Sequence, residues 1–221
     1  MNARENILAR LRGSLGRNHE NTASGRAMID DYLAARTKGP QPKLCGDLLV
    51  RFCEESRKLS STVEEVAALR DVPLVIARYL ADQRLPGQAV CWPEFADLDW
   101  RSGHLEVAAR TVGSDDLIGI TGCFCAIAET GTLMLCSGAA TPAALSLLPE
   151  THIAIVSARR IVAVMEDGWQ LVRAESGGMP GDCPRAINFI SGPSRTGDIE
   201  QTMVLGAHGP YRVHIVVVRD E

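Results

Sequence analysis

Ile7, Leu8, Leu11 and Leu15 recur at helical spacing through the opening segment MNARENILARLRGSLGRN, with Arg4, Arg10 and Arg12 on the other faces. The pattern predicts an amphipathic helix with a docking face. An arginine-rich targeting segment is the competing reading, and Glu5 and the scarcity of serine count against it. Helical periodicity continues over 19–36 and 43–58, broken between them by the prolines and glycine of TKGPQPK. The segment LSSTVEEVAALRDVP allows two readings, a capping box on Thr62 and Glu65 or a short strand from Thr62 to Val66. Asp71 ahead of Pro73 then starts a helix that runs to about Asp82.

Beyond Pro86 and Gly87 the pattern changes to short apolar runs separated by turns. Strands are predicted at QAVCW, LEVAA, LIGIT, TLMLC, HIAIV, IVAVM, AINFI and RVHIVVV, and helices at CFCAIAE, PAALSLL, EDGWQLV and DIEQTMV. Several strands are apolar on both faces, as in a parallel sheet covered on both sides. The expected class is α/β, a three-layer α/β/α domain with a mainly parallel sheet over 59–221, preceded by a helical region over 1–58.

A chain of 221 residues buries roughly 70% of its unfolded surface, so a true core is available. The hydrophobic fraction of 46% and charged fraction of 23% fit a globular protein. No apolar run reaches the roughly 20 residues of a membrane span, so a soluble protein is expected. A net charge of -4 supplies no broad basic field, which sets nucleic-acid binding aside. The seven cysteines (Cys45, Cys53, Cys91, Cys123, Cys125, Cys136 and Cys183) follow no secretory leader, and reduced thiols in a cytoplasm fit them best. Only Cys123 and Cys125 are close, and no CxxC exists. No metal or cluster is therefore expected in this chain, and the thiols read as small buried groups.

Candidate chemistry falls in three places. In SGPSRTGDIE an apolar strand ends at Ile190 and a helix is predicted to begin near Gly197. Backbone amides there would converge on an anion, with the hydroxyls of Ser191, Ser194 and Thr196 and the bidentate fork of Arg195. The alternative is a plain turn and capped helix: Thr196 caps, Asp198 and Glu200 complement the dipole, and Arg195 pairs with one of them. The stretch is neither a Walker loop nor a GxGxxG fingerprint. In AIAETGTLML, Glu129 lies between a predicted small-residue helix and a strand, flanked by Thr130, Gly131 and Thr132. It is a candidate general base or nucleophile, or else a turn acid satisfied by local amides. His208, between Gly206 and Gly209, is a ligand-facing imidazole or the donor to a turn carbonyl. His152 and His214 alternate with apolar residues and read as sheet or core groups, and the three tryptophans as packing.

Taken together, GITGCFCAIAETGTLML, SLLPETHIAIV, ISGPSRTGDIE and GAHGPYRVHIVVV resemble the LUD domain of LutC-type (YkgG family) lactate utilization proteins, and ARENILARLR resembles the start of such chains. The resemblance runs through about 160 residues. It implies a fold like that of the NagB, RpiA and CoA-transferase group, with ligand loops at strand ends, and it favours the strand at Thr62 to Val66. It also implies a part in oxidising L-lactate to pyruvate beside partner proteins that carry iron–sulfur clusters, with this chain as an accessory or ligand-binding subunit. Its signature positions here are Glu129 to Thr132, then Ser191, Gly192, Pro193, Ser194, Arg195, Thr196, Asp198 and Glu200, then His208, Gly209 and Pro210. CFC departs from the small non-cysteine residues usual at that place. Three functions follow: a lactate-system subunit binding a small carboxylate, a CoA-transferase-like acyl carrier through Glu129, or a sensor and assembly module for a carboxylated or phosphorylated metabolite.

Overall fold

A computed structural model describes residues 2–16, 19–177, 183–199 and 202–220. Contacts divide the chain into two units, Met1–Pro42 and Lys43–Glu221. The first holds α1 (Ala3–Ser14) and α2 (His19–Ala35). Asn2 starts α1 through a capping box: its side chain accepts from Arg4 N–H at 2.8 Å, and Glu5 accepts from Asn2 N–H at 3.1 Å.

The second unit begins with α3 (Leu48–Lys58), capped by the Asp47 carboxylate, and buries Phe52, Cys53 and Ser56. There follow β1 (Thr62–Ala68), α4 (Val72–Asp82), β2 (Gln88–Cys91), β3 (Glu106–Ala108), β4 (Ile118–Thr121), β5 (Cys125–Ile127), β6 (Thr132–Cys136) and β7 (Thr151–Ser157). The chain closes with β8 (Ile161–Val162), α5 (Met165–Glu175), β9 (Ile187–Ile190), β10 (Arg195–Ile199), β11 (Thr202–Leu205) and β12 (Arg212–Asp220). Six strands form an all-parallel sheet in the order β1-β12-β7-β4-β2-β3. Its central strands β7 and β12 are buried nearly end to end, which is why HIAIV and RVHIVVV read as continuous apolar runs. The class is α/β with a mainly parallel main sheet, as the pattern predicts.

A second sheet, β8-β5-β6-β9, is mixed: β5–β6 and β6–β9 run antiparallel and β5–β8 parallel. Ala126, Ala128, Leu133 and Leu135 join the main core, while Cys125, Ile127 and Met134 face the opposite way and pack with Val172 of α5. That alternation of two corrects the helix predicted at CFCAIAE, which is strand β5. Its small alanines and cysteines suit either state, and pairing to β6 decides it. IVAVM is strand only at Ile161–Val162, because α5 starts at Met165, and PAALSLL makes only a 3-10 turn at Ala143–Ser146. The described residues of DIEQTMV are strand, not helix: β10 and β11 pair antiparallel, Arg195 with Leu205 and Thr196 with Val204. Glu200, one of the expected dipole partners, lies outside the described residues.

Two histidines lie fully buried in the main sheet. His214 places Nδ1 2.8 Å from Thr62 Oγ1 and stacks on Tyr79 with ring centroids 3.8 Å apart. The Thr121 hydroxyl donates to the Gly122 carbonyl at 2.9 Å and so accepts from His152 Nε2–H at 2.8 Å. Burial lowers both imidazoles to about 4, with the Arg78 charge adding to the effect at His214. The folded state thus refuses protons that an unfolded chain takes up below about 6.5. Stability should be flat above that pH, fall between about 6.5 and 4, and lose on the order of 2 kcal/mol per histidine by pH 5. Urea midpoints at pH 7 and pH 5, with His152→Gln and His214→Gln reducing the difference, check this.

Candidate functional site

Antiparallel pairing of β6 with β9 sets Leu133 opposite Ile190, so the next rung brings Thr132 beside Ser191. Their hydroxyls lie 2.7 Å apart, and Thr130 donates to Thr132 Oγ1 at 2.8 Å. The hydroxyl row runs from the β5–β6 turn to the loop after β9.

Helix α3 clamps both segments. Ser56 Oγ donates to the Gly131 carbonyl at 3.1 Å. Gly131 has φ +63, and a Cβ there would lie 2.3 Å from Ser56 N. Gly192 has φ +84, and its Cβ would lie 2.3 Å from the Leu59 carbonyl oxygen. Both positions need glycine for conformation and for close approach. The helix itself ends in a Schellman turn: Ser60 N–H donates to Arg57 O at 2.9 Å and Ser61 N–H to Ser56 O at 3.1 Å, with Ser60 left-handed at φ 70.

Arg195 is used at that helix end. Its Nη2 donates to the Leu59 carbonyl at 3.3 Å and to Ser60 Oγ, placing a cation on the negative pole of α3. The helix start predicted near Gly197 is therefore corrected: Arg195 begins strand β10, Thr196 is paired in it, and Asp198 lies along it. Among the described residues no helix amino terminus follows Ile190 in this loop.

The third signature segment is laced to the second. Ser194 N–H donates to the Pro210 carbonyl and Gly206 N–H to the Ser194 carbonyl, both at 2.9 Å. A Cβ on Gly209 would stand 3.3 Å from the Ser194 Cβ. His208 is exposed in this turn and Pro210 is buried. Glu129 is half-buried in the β5–β6 turn, its N–H donating to Ala163 O at 3.0 Å. The structure thus joins the three segments in a chain of contacts, Thr132 to Ser191 and Ser194 to Gly206, Gly209 and Pro210.

Beside the last turn opens a cleft of about 390 Å3, lined by Leu148, Glu150, Leu205, Gly206, Gly209 and Arg212, with Tyr211 as a wall. Thr151 pairs with Arg212 at the first rung of β7 and β12, so the cleft lies at the amino ends of these strands. Doubly wound sheets usually bind ligands at the carboxyl ends. Residue reading missed Tyr211 and Arg212; the available signal was an arginine heading an otherwise apolar strand.

Four of the thiols are packed into the protein. Burial pushes Cys53, Cys91 and Cys125 up to about 11, and raises Cys123 further, so they stay protonated near neutrality and are poor nucleophiles. Among the described residues no group of three or more His, Cys, Asp or Glu is placed to hold a metal ion. Nor is any described helix long and apolar enough to cross a membrane.

Comparison with known proteins agrees with these signature segments. Residues 93–218 match the LUD domain family. A lactate utilization protein C from an Exiguobacterium species is 32% identical over 98% of this chain and 96% of its own length. A lactate utilization protein C 1 from Bacillus mycoides is 36% identical over 55% of this chain and 51% of its own length. The crystal structure of a DUF162 family protein from Deinococcus radiodurans superposes with a TM-score of 0.55 at 25% identity, covering 80% of this chain and 99% of that one. By the family match and by a relative aligned almost end to end, this chain belongs to the LUD domain family.

Proposed function

We propose that this chain is an accessory, ligand-binding component of a lactate utilization system, which holds a small carboxylate while iron–sulfur partner proteins carry the electrons. The observation behind the reading is the lacing of the three signature segments beside a cleft with one guanidinium, Arg212. Names of relatives that read lactate utilization protein C support the pathway. Glu150 in the same cleft opposes a multiply charged ligand, which favours a monocarboxylate over a phosphorylated metabolite.

In this role the protein's own residues bind and orient. The clamp by α3 fixes the turns, and the half-buried arginine supplies a charge-assisted contact that a carboxylate satisfies with two oxygens. Deleting the gene in the source organism should slow growth on L-lactate but not on glucose, with recovery on restoring the full chain. Unchanged growth on L-lactate would count against the assignment.

A further inference from the structure

In the first unit, Ile7, Leu8, Leu11 and Leu15 share one face of α1, and Met28, Ile29, Tyr32 and Leu33 share one face of α2. All of them are exposed, by 36% to 72%, and α1 buries no residue at all. A helix of 12 residues is marginal by itself in water, and apolar faces of this kind mark contact surfaces. The charges beside them say what fits. At 3.6 residues per turn, Arg10 and Arg12 fall on opposite edges of the α1 face, and Asp30 and Asp31 on opposite edges of the α2 face. Packing α1 on another α1 would set arginine against arginine, and α2 on another α2 aspartate against aspartate. Packing α1 on α2 pairs opposite charges along both edges, whichever way the helices run.

Chain connectivity keeps the two faces from covering each other within one copy. A hairpin closed by residues 15–18 would set Ser14 opposite His19. Leu8 and Leu11 would then face the polar run HENTASGR at 19–26, while Tyr32 and Leu33 ran past the start of α1. A second copy is free of that register. We propose that the first unit is a homodimerisation element, in which α1 of each copy lies on α2 of the other about a two-fold axis. The symmetry makes each contact twice and covers every one of these apolar faces. An anionic membrane is the other surface that an arginine-edged apolar helix suits, but it repels Asp30 and Asp31 and leaves the α2 face uncovered.

Sedimentation velocity of the full chain over a concentration series tests this. The wild type should be a dimer that dissociates on dilution. Arg10→Asp combined with Arg12→Asp, and separately Asp30→Arg combined with Asp31→Arg, should each raise the dimer dissociation constant by about tenfold or more, since like charges then meet along both edges of both contacts. An equimolar mixture of these two double variants should recover a dimer holding one copy of each, because both reciprocal contacts are again opposite in charge. The variant with all four reversals should recover the homodimer. A cooperative urea transition in each variant shows that its core folds. A wild type that stays monomeric at every concentration overturns the proposal. So does a dimer that either double variant leaves intact, or a mixture of the two that stays monomeric. Binding of the wild type to vesicles of anionic lipid without self-association would assign the α1 face to a membrane instead and would also overturn it.

Discussion

Gly131→Ala is expected to cost roughly 2–5 kcal/mol of stability, combining about 1–2 kcal/mol for a left-handed non-glycine residue with about 1–3 kcal/mol for overpacking. The added methyl meets backbone: Ser56 N at 2.3 Å and the Glu55 carbonyl carbon at 2.5 Å. A side chain could rotate away, but a helical backbone cannot without lifting α3 from the β5–β6 turn. The row from Thr130 through Thr132 to Ser191 would move with it. Urea denaturation of the two proteins reads the difference. A loss below about 1 kcal/mol would mean that the turn and α3 are not in contact as described.

Phe52→Ala should cost about 3–5 kcal/mol, the range for emptying a buried aromatic site. Phe52 is 0% exposed on the inner face of α3, and that helix carries Ser56, Leu59 and Ser60 to the signature segments. Weakened docking of α3 should lower carboxylate affinity as well as the urea midpoint. Val50→Ala on the same helix, where the side chain is 53% exposed, should change stability by less than about 0.5 kcal/mol. Equal losses at the two positions would show that α3 is not anchored through Phe52.

Why some elements were legible in the amino-acid order and others were not follows from where each finds its partners. β7 and β12 are buried on both faces, and continuous apolar runs announce that state. β5 spans only the three residues Cys125 to Ile127, too few for its alternation to outweigh a helical reading. The β10–β11 hairpin misled because Asp and Thr at a loop end resemble a helix start, while pairing across to Val204 and Leu205 is invisible locally. The division of the strands into two sheets also rests on long-range pairing.

The candidate site was legible as a set of segments, not as an arrangement. Gly131 and Gly192 were noticed, but their reason, the backbone of α3 lying 2.3 Å from a hypothetical methyl, needs a helix some seventy to one hundred and thirty residues away. Arg195 drew the anion reading on charge and context, and the structure spends its Nη2 on the end of α3. Arg212 carried no motif around it, and only the folding of the last turn against Ser194 reveals a cleft at its side.

The most direct test of the central claim is an amide chemical-shift map of the full chain titrated with L-lactate. The account expects perturbations grouped at Gly206, Gly209, Tyr211 and Arg212, extending with smaller size to Ser194 and Ser191 through the laced loops. Shifts confined to the carboxyl ends of β4 and β7, or no shifts at saturating L-lactate, would contradict it.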